Sequence, residues 1–139
     1  MVEHASVVNL IWDLNRCYPF GETDVYLQKT SYLFDVSVSE MFGWFLGGGG
    51  LALLDPGAEK EPLEILAAIE RYGITHINFV PSMFNAFASQ LDSNNINDIS
   101  SLKYIFLAGE ALLPEFVKKF RNLNAPIRLE NIYGPTEGT

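Results

Sequence analysis

Strand-length apolar runs alternating with helix-periodic segments predict a doubly wound α/β domain: a mostly parallel, five-stranded sheet with helices on both faces. Three observations carry that prediction. The strand-length runs are close to continuously apolar, as expected of strands covered on both sides. The segments between them place apolar residues three and four apart, and prolines and glycines mark the joints. At 139 residues the chain fits one domain, large enough to bury roughly two-thirds of the surface its unfolded form exposes.

The elements follow in order. Val7, Leu10, Ile11 and Leu14 recur at helical spacing over residues 5–15, and Pro19 with Gly21 closes that helix. A short strand is expected over 25–28, then a Thr30-Ser31 turn and a helix over 36–46. Gly47 to Gly50 break that helix and read as a flexible loop before a buried strand over 51–54, which Asp55-Pro56-Gly57 ends. Pro62 suits the first turn of the next helix, whose Ile65, Leu66, Ile69 and Tyr72 share a face, and Gly73 is a good stop. The pattern then repeats as strand 75–80, helix 81–91, strand 103–107, helix 114–123 and strand 127–132. Residues 92–101, rich in Asn, Asp and Ser, read as a mobile loop.

Composition narrows the function classes. Hydrophobic residues make up 48% and charged residues 19%, which supplies a core and excludes disorder for most of the length. Nine Lys and Arg against 17 Asp and Glu give a formal charge of −8, which repels phosphate backbones and anionic headgroups, so neither nucleic acid nor membrane is an expected partner. A single cysteine, Cys17, offers neither an internal disulfide nor a zinc site, and the start lacks a signal-peptide pattern, so a cytoplasmic location is expected.

In open α/β sheets ligands lie beyond the carboxyl ends of the strands. That rule singles out Thr30 to Asp35, Asp55, Asn78 to Ser82, Ala108-Gly109-Glu110, and Tyr133 to Glu137. Asp35 stands between Phe34 and Val36, where an acid is costly unless it caps a helix or meets a cation, and both readings stay open. Asn131 to Glu137 gathers a strand end, an aromatic, a tight turn, a hydroxyl and a carboxylate within seven positions.

These residues carry a resemblance. Phe34-Asp35-Val36-Ser37 resembles the FDxS core motif of the amino-acid adenylation domains of nonribosomal peptide synthetases, and Asn131-Ile-Tyr-Gly-Pro-Thr-Glu137 resembles their NxYGPTE motif. Leu107-Ala-Gly-Glu-Ala-Leu112 and Val80-Pro-Ser-Met83 are also similar to family segments, so the likeness spans essentially the whole chain. It implies a flavodoxin-like subdomain that is one piece of a larger adenylation domain. The family's phosphate loop would lie just before Met1 and its catalytic lysine in a further C-terminal domain, so these 139 residues alone are expected to be inactive.

The resemblance implies ATP and Mg²⁺ as cofactors, an amino acid as substrate, and a peptidyl carrier protein bearing phosphopantetheine as partner. It further implies catalytic positions at Thr136, facing the α-phosphate, and at Glu137, which would help hold Mg²⁺. Tyr133 would stack on adenine, with Gly109, Glu110 and Ala111 lining the nucleotide, and Asp35 would pair with the α-ammonium. The side-chain pocket maps onto Val36, Ser39, Asn78, Phe106, Ala108 and Ile132, two further positions falling past Thr139. Those residues lead us to expect a large, mainly apolar or aromatic substrate side chain, with Asn78 able to meet a hydroxyl at its tip, and no lining carboxylate besides Asp35.

The alternative from another class is a non-catalytic flavodoxin-like binding or signalling module. A receiver would want an acid at the end of the third strand, where Asn78-Phe-Val-Pro81 stands, and a flavin binder a richer hydroxyl loop than Thr30-Ser31. His4 and His76 have no ligand-like neighbours at short spacing and no Gly-x-Ser-x-Gly elbow is present, which argues against metal hydrolysis and serine catalysis. His76 reads as a structural histidine.

Overall fold

A computed structural model describes residues 2–138. Five parallel strands, β1 (Val25–Gln28), β2 (Gly50–Leu53), β3 (His76–Phe79), β4 (Tyr104–Leu107) and β5 (Arg128–Asn131), lie in the order β2-β1-β3-β4-β5. The helices are α1 (His4–Cys17), α2 (Val36–Phe42), α3 (Pro62–Tyr72), α4 (Pro81–Ala88) and α5 (Pro114–Arg121). This is the flavodoxin-type order, whose switch point falls between β1 and β3. Topology alone therefore directs a ligand to the carboxyl ends of those two strands, the stretches that lead into Asp35 and Pro81. No described helix is long and apolar enough to cross a membrane.

Strand alternation sorts the side chains onto two unlike faces. Leu27, Ile77, Phe79, Ile105 and Leu107 point to one face, where Ile65 and Ile69 of α3, Phe84 and Phe87 of α4 and Phe120 of α5 complete an all-apolar core. Tyr26, His76, Asn78, Tyr104 and Phe106 point to the other. There α2 packs on β1 and β3, α1 packs on α2, and a smaller aromatic cluster forms around Phe20, Tyr26 and Phe106.

Three expectations are corrected. Helix α2 ends at Phe42, not residue 46, because Trp44 Nε1 donates to the Met41 carbonyl at 2.9 Å and takes an acceptor that a further turn would use. The glycines after it form no flexible loop: a Cβ on Gly47 or Gly49 would collide with the backbone of Phe20 or Asp24, so this turn is glycine-rich because it is tightly packed. Nor is 92–101 loose. Asp92 accepts the N–H groups of Asn94 and Asn95, a 3₁₀ turn runs over Ile96–Ile99, and Ile99 is fully buried in the apolar core. Polar composition hid one apolar anchor.

Candidate functional site

The two motifs farthest apart in sequence meet in space. Thr136 Oγ1 donates to Asp35 Oδ2 at 2.6 Å across 101 residues of chain. Asp35 precedes α2 but does not cap it: its backbone is already helical, at φ −58° and ψ −31°, and its carboxylate makes no cap bond. The apolar frame around it is no buried shell either, since Tyr32, Leu33 and Phe34 are all exposed. Its carboxylate therefore stands open at the rim beside Thr136, where a cation can reach it without first displacing a helix end.

Around this contact the expected residues divide into a rim and a floor. Tyr133, 86% exposed, Gly109, Glu110, Ala111, Thr136 and Glu137 form the rim. Gly109 has φ +86°, a conformation that favours glycine, and a Cβ there would lie 3.3 Å from the Val80 side chain. The Glu110 carboxylate is spent inside the protein: it accepts the Ser82 N–H at 2.9 Å and the Ser82 hydroxyl at 3.0 Å, tying the loop after β4 to the first turn of α4.

Ser39, Asn78, Phe106 and Ala108 are buried and form the floor, with Val36 and Ile132 half-buried at its sides. Asn78 and Phe106 are register partners on β3 and β4, and the ladder continues past the strands through Ala108 N–H to Phe79 and Ile132 N–H to Leu107, which keeps the floor residues on one face. Phe106 is also part of the aromatic cluster, its ring centroid 5.0 Å from Tyr18 and 6.4 Å from Tyr26.

Sequence reasoning missed Glu40. It is fully buried, accepting the N–H groups of Lys29 (3.1 Å) and Thr30 (2.9 Å), the Thr30 hydroxyl (2.6 Å) and the Asn78 amide (3.2 Å). This carboxylate lies behind the floor, fully buried and outside the mapped lining positions. The signal was available, since an acid one position after Ser39 on the inward face of a short helix has to be paired. Asn78 correspondingly has no amide hydrogen left for a hydroxyl oxygen, as its amide also donates to Ser39, and its carbonyl already accepts from Tyr26.

Behind the floor lies His76, 1% exposed, with Nδ1 2.8 Å from the Thr75 hydroxyl and rings of Phe20 and Tyr104 at 4.8 and 5.0 Å. Burial pushes its pKa down to about 4, opposed by nearby Asp24 and assisted by Lys103. Asp24 is itself buried, which alone would raise its pKa. The Lys103 ammonium 2.7 Å away and the Gly21 N–H hold it below the ordinary carboxylate value. Burial likewise raises the Tyr26 hydroxyl and lowers Lys29, whose ammonium lies 4.6 Å from the Phe79 ring centroid.

Among the described residues no trio of His, Cys, Asp or Glu gathers to hold a metal. A single carboxylate such as Glu137 fits Mg²⁺ only where phosphate oxygens and water complete the shell. Two concavities, of about 420 Å³ along Trp12 and Arg16 and about 620 Å³ beside Asn124 and Arg128, lie away from the Asp35–Thr136 contact. The candidate site is an open face at the switch point, with a rim and a floor.

Comparison with known proteins places the chain in a family. A model of the family described as AMP-binding enzyme matches residues 1–139. A linear gramicidin synthase of Brevibacillus parabrevis is 52% identical over 139 residues, all of this chain and 3% of that protein. The nonribosomal peptide synthetase FmoA3, solved in an α-methyl-L-serine-AMP-bound form, superposes with TM-score 0.89 at 24% identity over 98% of this chain and 15% of its own, a likeness of fold. Holo-PA1221, described as a protein containing adenylation and PCP domains, aligns with TM-score 0.74 at 27% identity over 86% of this chain and 20% of its own.

Proposed function

Because the chain belongs to the AMP-binding enzyme family along its whole length, we propose that it is the substrate-pocket subdomain of an amino-acid-adenylating enzyme of nonribosomal peptide synthesis. The parent reaction joins the carboxylate of an amino acid to the α-phosphate of ATP, releases pyrophosphate, and passes the acyl group to the phosphopantetheine thiol of a carrier protein. The observation that carries this reading is the 2.6 Å contact between Thr136 and Asp35. It sets a carboxylate suited to an α-ammonium beside a hydroxyl suited to a phosphate oxygen, as condensation of those two partners requires.

Each residue has a task in that reaction. Asp35 holds the ammonium and so orients the substrate carboxylate, while Thr136 donates to an α-phosphate oxygen as charge shifts onto it. Tyr133 offers an exposed aromatic face to adenine, and the glycine at Gly109 lets the chain approach the nucleotide. Glu137 would hold Mg²⁺, which supplies charge neutralisation on the phosphates. The rest of the adenylation domain would close the open face and supply the family's phosphate loop and lysine, in keeping with a chain that spans 3% of the gramicidin synthase it matches.

Amino-acid-dependent pyrophosphate exchange by the complete polypeptide tests the reading. Stimulation by one amino acid, and none by the same acid lacking its α-amine, is expected. Equal stimulation by the deaminated analogue would remove Asp35 from its role and the reading with it.

A further inference from the structure

The floor of the proposed side-chain pocket is polar in composition yet closed in hydrogen bonding. Asn78 places both amide hydrogens inside the protein, on Ser39 Oγ at 3.3 Å and Glu40 Oε1 at 3.2 Å, and its carbonyl accepts the Tyr26 hydroxyl at 3.4 Å. The Ser39 hydroxyl donates to the Val36 carbonyl at 2.7 Å. Every polar hydrogen on the floor is thus committed, and a substrate oxygen arriving there finds no donor. Glu40 anchors the arrangement. Its carboxylate is fixed by two backbone N–H groups and the Thr30 hydroxyl, and turning the Asn78 amide over would set two acceptors against each other at 3.2 Å.

We propose that Glu40 is a positioning residue of the pocket which, by saturating Asn78 and thereby Ser39, leaves a floor without a free donor, so that the accepted amino acid carries an apolar side chain in preference to its oxygen-bearing isostere. This rests on the pocket reading of the preceding subsection. Val36, Phe106, Ala108 and Ile132 supply carbon walls to match. A hydroxyl tip could meet Asn78 only by donating to its carbonyl, which already accepts from Tyr26, and would find no amide hydrogen for its own oxygen.

Pyrophosphate exchange by the complete polypeptide, measured on the isosteric pairs valine and threonine, phenylalanine and tyrosine, and leucine and asparagine, decides the matter. The apolar member of the accepted pair should lead in kcat/KM by on the order of ten- to a hundredfold. Glu40→Gln, which keeps size but turns an amide toward groups that now donate to a carboxylate, should release Asn78 and pull that ratio several-fold toward unity, mainly through KM. A merely structural role would lower stability without moving the ratio. Preference for the polar member overturns the inference and leaves the adenylation reading standing, whereas activation of no amino acid overturns both. An unchanged ratio in a folded Glu40→Gln protein refutes the positioning role. Should that variant not fold, the wild-type panel still decides the substrate class.

Discussion

The two faces of the sheet are built on opposite terms. Beneath α3, α4 and α5 the buried side chains are hydrocarbon, and stability there follows volume and fit. Between α2 and the sheet lie the buried Asp24, Glu40, His76 and Asn78, groups costly to bury without partners, and of these His76 Nε2 makes no hydrogen bond. One face can be changed by degrees, the other only as a network. The proposed pocket lies on the second face, where geometry is held by directional bonds rather than by packing alone, as selection among similar side chains requires.

The largest contrast should come from Phe84→Ala on the apolar face, expected to cost about 3–5 kcal/mol in chemical denaturation because Phe79 and Phe120 cannot collapse into the space. A cost below about 1 kcal/mol would show that face to be loosely packed. Next comes pH. An unfolded histidine takes its proton near 6.5, whereas His76 in the fold resists to about 4. Between those values the unfolded state binds more protons, so stability should fall as pH falls from about 6.5 to about 4, by on the order of 2–3 kcal/mol. His76→Gln should flatten that slope in melting curves, and a slope of equal size in the variant would place its origin elsewhere. Smaller again is Tyr26→Phe, which leaves the Asn78 carbonyl without its donor at a cost of about 1–2 kcal/mol. Smallest is Thr136→Val at the exposed rim, within about 0.5 kcal/mol.

The apolar face was legible in the sequence because hydrophobic period reports burial directly: Ile65 and Ile69 share a helix face, and Pro62 and Gly73 mark its ends. The floor residues of the site were legible through strand alternation and motif, since Phe106 and Ala108 two apart must point the same way. What stayed hidden was pairing. Nothing in the order of residues states that Glu40 takes the Asn78 amide, that Glu110 turns to Ser82, or that Asp92 folds a polar segment around Ile99. Those bonds join elements through three dimensions, and periodicity along one dimension does not contain them.

The central claim, that the Asp35–Thr136 rim binds substrate while the buried network behind it shapes the pocket, meets its most direct test in Asp35→Ala within the complete polypeptide. Loss of amino-acid activation on the order of 2–5 kcal/mol in kcat/KM, with an unchanged melting temperature, is the predicted result for a carboxylate whose partner is the substrate ammonium, the pair being buried once the rest of the domain closes over it. A variant that melts several degrees lower yet retains its apparent affinity for the amino acid would contradict it and return Asp35 to a structural role.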